Sequence, residues 1–312
     1  WFQHTTHYSC YQCDEETSLG TTEELSTIWF SRNKVHWFVV QLNLYHQDWD
    51  YRKDNTEKYP QLKQITSQPN SFWLVDNPIK RIKRLSSRVH RLCKRAHPYQ
   101  PVIVLYSIPD RDVGGHSKGG LTLTQYHNFI DEVVDGIGDY SPIVIIEPDA
   151  VPHMRKGMSL YQKHKRTRLI KSAIKKLSNT NAIVYLDIGH PKWLKRTDAI
   201  TFFGMFYSDN FQGFSINTSN FVTTDKCIRY GDKIAKHFGC SYVIDTSRNG
   251  NEVWETYNPQ EMKLGDNPTT ETDSKYCDAY LWIKTPGESD GAINGWPKAG
   301  RFDAEKTLEI LK

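Results

Sequence analysis

Acidic residues that could donate or accept protons recur directly after short apolar runs of this sequence. They are Asp110, Asp112, Glu147, Asp149, Asp187, Glu288 and Asp290. A carboxylic acid with a raised pKa can donate a proton near neutral pH, while a neighbouring carboxylate that stays ionised can accept one. Brought together, such acids could perform general acid–base chemistry. The alternative is that they cap helices and form ion pairs, because aspartate is a common N-cap residue.

The apolar runs before these acids are predicted strands, and amphipathic stretches between them are predicted helices. The predicted strands are 102–107, 143–147, 183–187, 213–217, 242–246 and 279–284, and the predicted helices are 124–137, 160–177 and 225–238. This alternation predicts an α/β fold with parallel strands, namely a distorted (β/α) barrel of the TIM type. The carboxyl ends of barrel strands meet on one face, so the fold would bring the acids together.

Length and composition fit one barrel-sized globular domain. The chain has 312 residues, of which 38% are hydrophobic, 24% charged and 12% aromatic, and its formal net charge is +4. This modest charge does not by itself indicate a nucleic-acid-binding protein. We find no apolar run long enough to cross a membrane and no leader-like segment, so any targeting signal is expected outside the chain.

Two further features of the sequence have alternatives that stay open. The stretch 80–95 contains many cations and no acid, and it predicts an amphipathic helix whose basic face meets solvent or, alternatively, an anionic partner. Cys10 and Cys13 form a single CxxC, which is weak support for zinc and fits a local disulfide or two free thiols. Cys227 and Cys240 flank a predicted helix and should lie too far apart to pair.

Six motifs, taken in chain order, carry a family resemblance. They are YSIPDRDVGGHSKGG, VIIEPDAVPHM, YLDIGHPKWL, GFSINTSNF, VIDTSRNGN and DAYLWIKTPGESDG. Together they resemble glycoside hydrolase family 6, the inverting β-1,4-glucanases, over residues 72–312. Residues 1–71 would then be a divergent N-terminal part of a single catalytic domain, 1–312. Because we see no large insertion after INTSNF, the chain resembles open-cleft endoglucanases more than tunnel-forming cellobiohydrolases.

The resemblance implies catalytic roles for four acids. Asp149 would be the general acid, which requires a raised pKa, and Asp112 would support it through its charge. Asp290 would be the base, acting through a chain of water. Asp187 would bind sugar or tune the other acids. Inversion requires carboxyl groups roughly 6.5–9.5 Å apart, which leaves room for a water molecule.

The resemblance also implies a set of substrate-binding residues. Trp73 and Trp193 would stack on sugars on opposite sides of the cleavage point, with Tyr106 beneath the distorted sugar. The other candidates are Arg111, Ser117, His190, Asn217, Asn220, Arg248, Lys284 and Glu288. His190, Asn217, Asn220 and Arg248 have the alternative of being hydrogen-bonded buried groups. Either Trp254 or Tyr257 would replace a stacking tryptophan of the family.

The resulting expectation is an inverting endo-β-1,4-glucanase of the cellulase type that hydrolyses cellulose or a related β-glucan. The resemblance implies no metal and no organic cofactor. We expect a monomer that binds a β-1,4-glucan oligosaccharide or polysaccharide and no nucleic acid, and that is secreted or faces the extracellular space. The alternative is a catalytically weak or inactive glucan-binding domain attached to a polysaccharide-handling protein.

Overall fold

Seven parallel strands, connected by helices, carry the loops that hold the predicted acids. The structure is a computed structural model that describes residues 42–45, 55–75, 84–156, 158–208, 211–254 and 257–312. These residues all belong to one compact unit, Trp37–Lys312. The CxxC of Cys10 and Cys13 lies outside the described residues.

The strands are hydrogen-bonded side by side in the order in which they occur along the chain. They are β1 Ser71–Val75, β2 Val102–Tyr106, β3 Ile143–Ile146, β4 Ile183–Asp187, β5 Gly213–Ile216, β6 Ser241–Asp245 and β7 Cys277–Leu281. Every neighbouring pair is parallel. The amide of Ser71 donates to the carbonyl of Trp282, just past β7, at 3.3 Å. The sheet therefore curls back on itself, which confirms the distorted α/β barrel.

One short helix precedes β1, and longer helices follow most of the strands and pack on the outside of the sheet. They are α1 Lys63–Thr66, α2 Leu85–Ala96, α3 Leu123–Ile137, α4 Leu160–Leu177, α5 Arg196–Gly204, α6 Thr224–Phe238 and α7 Ala304–Ile310. Short 3-10 turns occur at Pro60–Leu62, Asp112–Gly114 and Pro152–Met154. Thr122 and Ser159 start α3 and α4 with capping boxes, in which Gln125 and Gln162 return the hydrogen bond. Of the predicted basic helix, 84–95 is described, and α2 occupies most of it.

The strands contribute residues to two separate cores. The inner core consists of Val102, Val104, Ile143, Ile145, Tyr185, Val243, Ala279 and Leu281, with Leu42 and Ile283. Residues of β2 and β7 can meet in this way only on the concave side of the sheet. The alternate residues, such as Ile103 and Val144, pack against the helices in the outer core. Because both faces are covered, the strands appear in the sequence as continuous apolar runs.

Four cysteines of the described ranges are buried and unpaired. They are Cys93, Cys227, Cys240 and Cys277. Cys227 lies in α6 and Cys240 follows its end, which confirms that these two thiols do not form a disulfide with each other. No helix within the described ranges is both long enough and apolar enough to cross a membrane.

Gly136 marks a close approach between α2 and α3. A Cβ atom there would lie 2.5 Å from the carbonyl oxygen of Ser86. Alanine normally stabilises a helix relative to glycine, but here we expect Gly136→Ala to lower the free energy of unfolding by about 1–3 kcal/mol through overpacking. Urea denaturation would measure the change. Gly204→Ala is the control, because its Cβ would meet Phe238 at 3.4 Å; an equal effect of both substitutions would contradict the tight contact.

Candidate active site

The four predicted catalytic acids lie at the carboxyl ends of the strands. Asp112 follows β2, Asp149 follows β3, Asp187 ends β4 and Asp290 lies after β7. The charges of Asp187, Asp112 and Asp290 all raise the pKa of Asp149, after the larger effect of its burial. The barrel therefore brings all four acids within electrostatic reach of one another.

Three buried carboxylates tie the loops of this face together. Glu147 follows β3 and accepts hydrogen bonds from the amides of Ser107 at 2.9 Å and Ile108 at 3.0 Å, beyond the end of β2. Asp187 accepts from the amide of Asp149 at 3.0 Å, beyond β3. In each case an acid at one strand end holds the loop after the neighbouring strand. Burial raises the pKa of Glu147 to about 7, against these amide hydrogen bonds.

Asp245 makes the third of these ties, at the end of β6. Its Oδ2 accepts from the amides of Ser219 at 2.8 Å and Lys284 at 2.9 Å, and its Oδ1 accepts from the amide of Ser247 at 3.0 Å. Asp245 thus connects the loops after β5 and β7 with its own. Sequence reasoning missed this residue, although VID at the end of β6 repeats the pattern of YLD, which ends β4.

Asp149 has the properties required of a proton donor. Its side chain is partly exposed, and its backbone has a φ of +68°, a conformation that an aspartate adopts only when its surroundings enforce it. The hydrogen bond from its amide to Asp187 supplies that constraint. Burial, followed by the charges of Asp187 and Asp112, raises the pKa of Asp149 well above its ordinary value. Asp149 therefore keeps its proton at a pH where an exposed aspartate loses it.

Asp112 lies in the 3-10 turn after β2, also with a positive φ of +57°. Its Oδ2 accepts from the amide of Ser117 at 2.7 Å, which closes the glycine-rich loop over the carboxylate. Burial raises the pKa of Asp112, while the Ser117 amide and the charge of Arg111 oppose the shift. Its Oδ1 lies 3.9 Å from His153 Nε2, and burial lowers the pKa of this histidine to about 4. His153 is therefore neutral beside Asp112.

Asp290 is held as an anion by two cations. Arg248 Nη1 lies 2.7 Å from Oδ2, and Lys284 Nζ lies 3.2 Å from Oδ1. The amide of Asn258 also donates to Oδ2, at 3.2 Å. Burial alone would raise the pKa of Asp290, but Arg248 and Lys284 outweigh it and lower the pKa below its ordinary value. The site thus contains one acid kept protonated and another kept ionised.

Two buried arginines position the loop that bears Asp112. Arg111 donates from Nη1 to the carbonyl of Tyr106 at 2.7 Å and from Nε to that of Ser117 at 2.8 Å. Arg166 of α4 is 2% exposed and donates to the carbonyls of Asp110 at 2.7 Å and Ala150 at 3.2 Å. Arg166 therefore joins the loops that carry Asp112 and Asp149.

The predicted sugar platforms lie close to these acids. Trp73 projects from β1 and meets Tyr106 edge-on, with ring centroids 5.3 Å apart, while its Nε1 donates to the carbonyl of Ile283. The ring centroid of Trp193 lies 4.9 Å from that of His153, which it meets edge-on, and 5.9 Å from that of His190. Both tryptophans are partly exposed, as residues that stack on sugars must be. His153 was missed as a site residue, although it lies in the quoted motif VIIEPDAVPHM.

Several predicted substrate-binding residues have structural roles in this fold. Asn217 is fully buried, and its amide group binds the backbone of Val222 and of Asp245, so it stabilises the turn after β5. Arg248 is 1% exposed and acts on Asp290. Both residues are thus buried and hydrogen-bonded within the protein, and their contact with substrate stays a prediction.

The remaining candidates are at least partly accessible. Asn220 is partly exposed and donates to the carbonyl of Thr218 at 2.8 Å. His190 is partly exposed, burial and Lys192 lower its pKa to about 4, and its buried Nδ1 has no hydrogen-bond partner. Glu288 is partly exposed and forms an isolated antiparallel β-bridge with Phe302. The ring of His190 is therefore neutral near pH 7.

Trp254 and Tyr257, the two candidates for a stacking residue, lie in different parts of the structure. The ring of Tyr257 lies 4.7 Å from that of His116, and burial followed by the charges of Asp112 and Asp149 raises its pKa. Trp254 is 85% exposed, and Lys192 Nζ lies 4.0 Å from its ring centroid. Tyr257 therefore lies beside the acids, whereas Trp254 lies on the surface near the loop of Trp193.

Two other kinds of site can be considered at this face. Gly287–Gly291 formally matches the GxSxG pattern of serine hydrolases, but Ser289 is fully buried and its hydroxyl binds the carbonyls of Gly291 and Pro297, so it cannot act as a nucleophile. Asp112, Asp149 and His153 each place one possible ligand atom within 4.8 Å of the others. A cation bound there would take the oxygen that Asp149 needs for its proton.

Known proteins that are similar to this chain belong to a family that agrees with the geometry of the acids. A family model described as "Glycosyl hydrolases family 6" matches residues 39–310. Endoglucanase A of Cellulomonas fimi is 41% identical over 214 residues, which cover 68% of this chain and 47% of that protein. Endoglucanase A of Thermobispora bispora is 37% identical over 219 residues, which cover 67% of this chain and 47% of that protein. The chain thus spans just under half the length of these relatives.

A solved structure shows the same similarity in three dimensions. The endoglucanase Cel6 from Mycobacterium tuberculosis, in complex with methyl-cellobiosyl-4-deoxy-4-thio-β-D-cellobioside, aligns with a TM-score of 0.80 at 35% identity. The alignment covers 88% of this chain and 97% of that chain. A family model that spans most of the sequence and relatives at this level of identity lead to one conclusion: the chain belongs to glycosyl hydrolase family 6.

Proposed function

We propose that this chain is an inverting endo-β-1,4-glucanase that hydrolyses internal bonds of cellulose or a related β-glucan. The single observation that carries the proposal is that two acids on one barrel face have pKa values shifted in opposite directions. Asp149 is surrounded by acids and keeps its proton, whereas Asp290 is ion-paired and stays charged. A protonated acid and an ionised carboxylate are what inverting hydrolysis requires.

In the proposed reaction, Asp149 donates its proton to the glycosidic oxygen as the bond from that oxygen to the anomeric carbon breaks. A water molecule attacks the anomeric carbon from the opposite face, and the proton it loses passes to Asp290. Arg248 and Lys284 already occupy both carboxylate oxygens of Asp290. We therefore infer that the proton reaches Asp290 through a further water molecule, and that the configuration at the anomeric carbon is inverted.

The arrangement of the aromatic residues supports binding along a glucan chain. Trp73 and Trp193 flank the acids from β1 and from the loop after β4, and Tyr106 lies between them at the end of β2. We further propose that 1–312 acts as a single catalytic domain and as a monomer, and that it does not bind nucleic acid. We also propose that the protein acts outside the cell, because a polymer such as cellulose does not cross a membrane.

The function is tested by incubating the purified chain with a soluble β-1,4-glucan and following new reducing ends together with product anomers by proton NMR. We expect α-anomers to appear first. Release of β-anomers would contradict inversion. A folded chain that binds cello-oligosaccharides but releases no reducing ends would instead support the alternative, a glucan-binding domain without useful turnover.

The charge of Asp112 should appear in the pH dependence of activity. Asp112 raises the pKa of Asp149, so Asp112→Asn should lower that pKa, and the basic limb of kcat/KM against pH should move to lower pH. Activity should consequently fall more at pH 8 than at pH 5. Asparagine keeps an oxygen for the Ser117 amide, so the loop should stay in place. An unshifted basic limb would show that Asp149 does not sense the charge of Asp112.

A further inference from the structure

A surface cavity of about 390 Å³ lies beside the loop that carries Trp193. Its walls include five cationic side chains, contributed by that loop and by α5 and α6. They are Lys192, Arg196, Lys226, Arg229 and Lys233. The only acid that lines the cavity is Glu252. The cavity is therefore strongly electropositive, and it is separate from the acids of the candidate active site.

The local ion pairs leave much of this positive charge uncompensated. Glu252 Oε1 lies 3.0 Å from Lys192 Nζ, and Glu252 also pairs with Lys226. Arg229 lies 3.7 Å from the exposed Asp225. In the part of the chain that the structure describes, Arg196 and Lys233 have no ion-pair partner. An anion entering the cavity would meet charge that the fold itself does not neutralise.

The stability of α6 does not explain this cluster. Lys226, Arg229 and Lys233 are spaced three and four residues apart, so they lie on one face of the helix. Like charges at this spacing destabilise a helix, and the first turn already carries the positive end of the helix dipole. Lys226 lies in that turn. The cluster therefore has an energetic cost that an anionic ligand would offset.

The position of the cavity indicates what the anion is attached to. Pro191 and Lys192 line it and immediately precede Trp193 in the loop that carries the predicted sugar platform. Lys192 also lies over the exposed ring of Trp254, at 4.0 Å from its centroid. A glucan chain that extends beyond Trp193 toward Trp254 would therefore pass the cavity, so a charged substituent on that chain could enter it.

We propose that this cavity is a binding site for the carboxylate of an acidic sugar carried by the glucan chain, and that it gives the protein a preference for carboxylated over neutral β-glucan. The proposal rests on the proposed function only in that the carrier is a β-glucan. Arg196 and Lys233 would supply the charge that binds the carboxylate. The preference would weaken with salt, because the cations are solvent-accessible.

Binding is measured by calorimetry with cellotetraose and with a cellotetraose oxidised to carboxylate at its primary hydroxyl groups. An Asp149→Asn background prevents turnover. We expect the acidic oligosaccharide to bind at least tenfold more tightly at low salt, which corresponds to about 1.4 kcal/mol. The combined variant Arg196→Gln, Lys233→Gln should lose this preference and keep its affinity for cellotetraose.

Lys171→Gln with Lys175→Gln is the matched control, because both lysines are exposed on α4 outside the cavity. Equal affinities for the two oligosaccharides would overturn the proposal. So would a preference that the control variant lowers as much as the cavity variant. Inorganic phosphate and free glucuronate are titrated separately; if either binds as tightly as the acidic oligosaccharide, the cavity is a site for free anions. Loss of turnover in the parent chain, with this preference intact, would contradict the proposed hydrolase alone.

Discussion

Asp149→Asn is expected to lower kcat on an unactivated β-1,4-glucan by about 10²–10⁴-fold, the range by which a positioned general acid accelerates such a reaction. The substitution removes the proton that burial and the neighbouring acids retain on this side chain near neutral pH. Asparagine has nearly the same size, and the hydrogen bond to Asp187 comes from the backbone amide of residue 149, so the loop should keep its conformation.

A substrate with a good leaving group distinguishes acid catalysis from a general loss of structure. Dinitrophenolate departs without being protonated, so Asp149→Asn should retain much more of its activity on a dinitrophenyl cellobioside than on a glucan. Asp139→Asn is the control, because Asp139 is exposed in the loop after α3 and should change neither rate. An equal loss on both substrates would remove Asp149 from the role of proton donor.

Much of the barrel could be predicted because strands buried on both faces leave a plain sequence signal. β4 and α4 have the predicted bounds, and β7 begins two residues before the predicted strand. β1 was not predicted, although its last four residues form a continuous apolar run, because a run this short does not distinguish a strand from a helix or a loop. α5 was not predicted because its apolar residues are spread around the helix rather than confined to one stripe.

The site could be predicted only in part, because sequence indicates which residues end the strands and not which loops meet there. The four acids followed from strand ends and from a family resemblance. The roles of Asp245 and Asn217 depend on contacts between loops that are distant in sequence. Arg166 is one of several cations in α4, yet it is buried between two active-site loops. Such roles arise from the tertiary packing alone.

Arg248→Gln is expected to lower the free energy of unfolding at pH 7 by about 3–5 kcal/mol, the cost of leaving one member of a buried ion pair without its partner. Arg248 is 1% exposed, and its Nη1 lies 2.7 Å from Asp290 Oδ2. Urea unfolding followed by tryptophan fluorescence would measure the loss. Lys176→Gln is the control, because it breaks the surface pair with Asp131 and should cost less than about 1 kcal/mol.

The loss of unfolding free energy in Arg248→Gln should also depend on pH, because the charge of Asp290 does. Burial alone would raise the pKa of Asp290, but Arg248 and Lys284 lower it below its ordinary value of 3.8. A carboxylate with a lowered pKa stabilises the fold above its unfolded pKa, and this contribution disappears as the pH falls through the folded value. The difference in unfolding free energy between parent and variant should therefore shrink from pH 7 toward pH 3. A constant difference would mean that Arg248 stabilises the fold through Ser219 and Phe221, and not through the charge of Asp290.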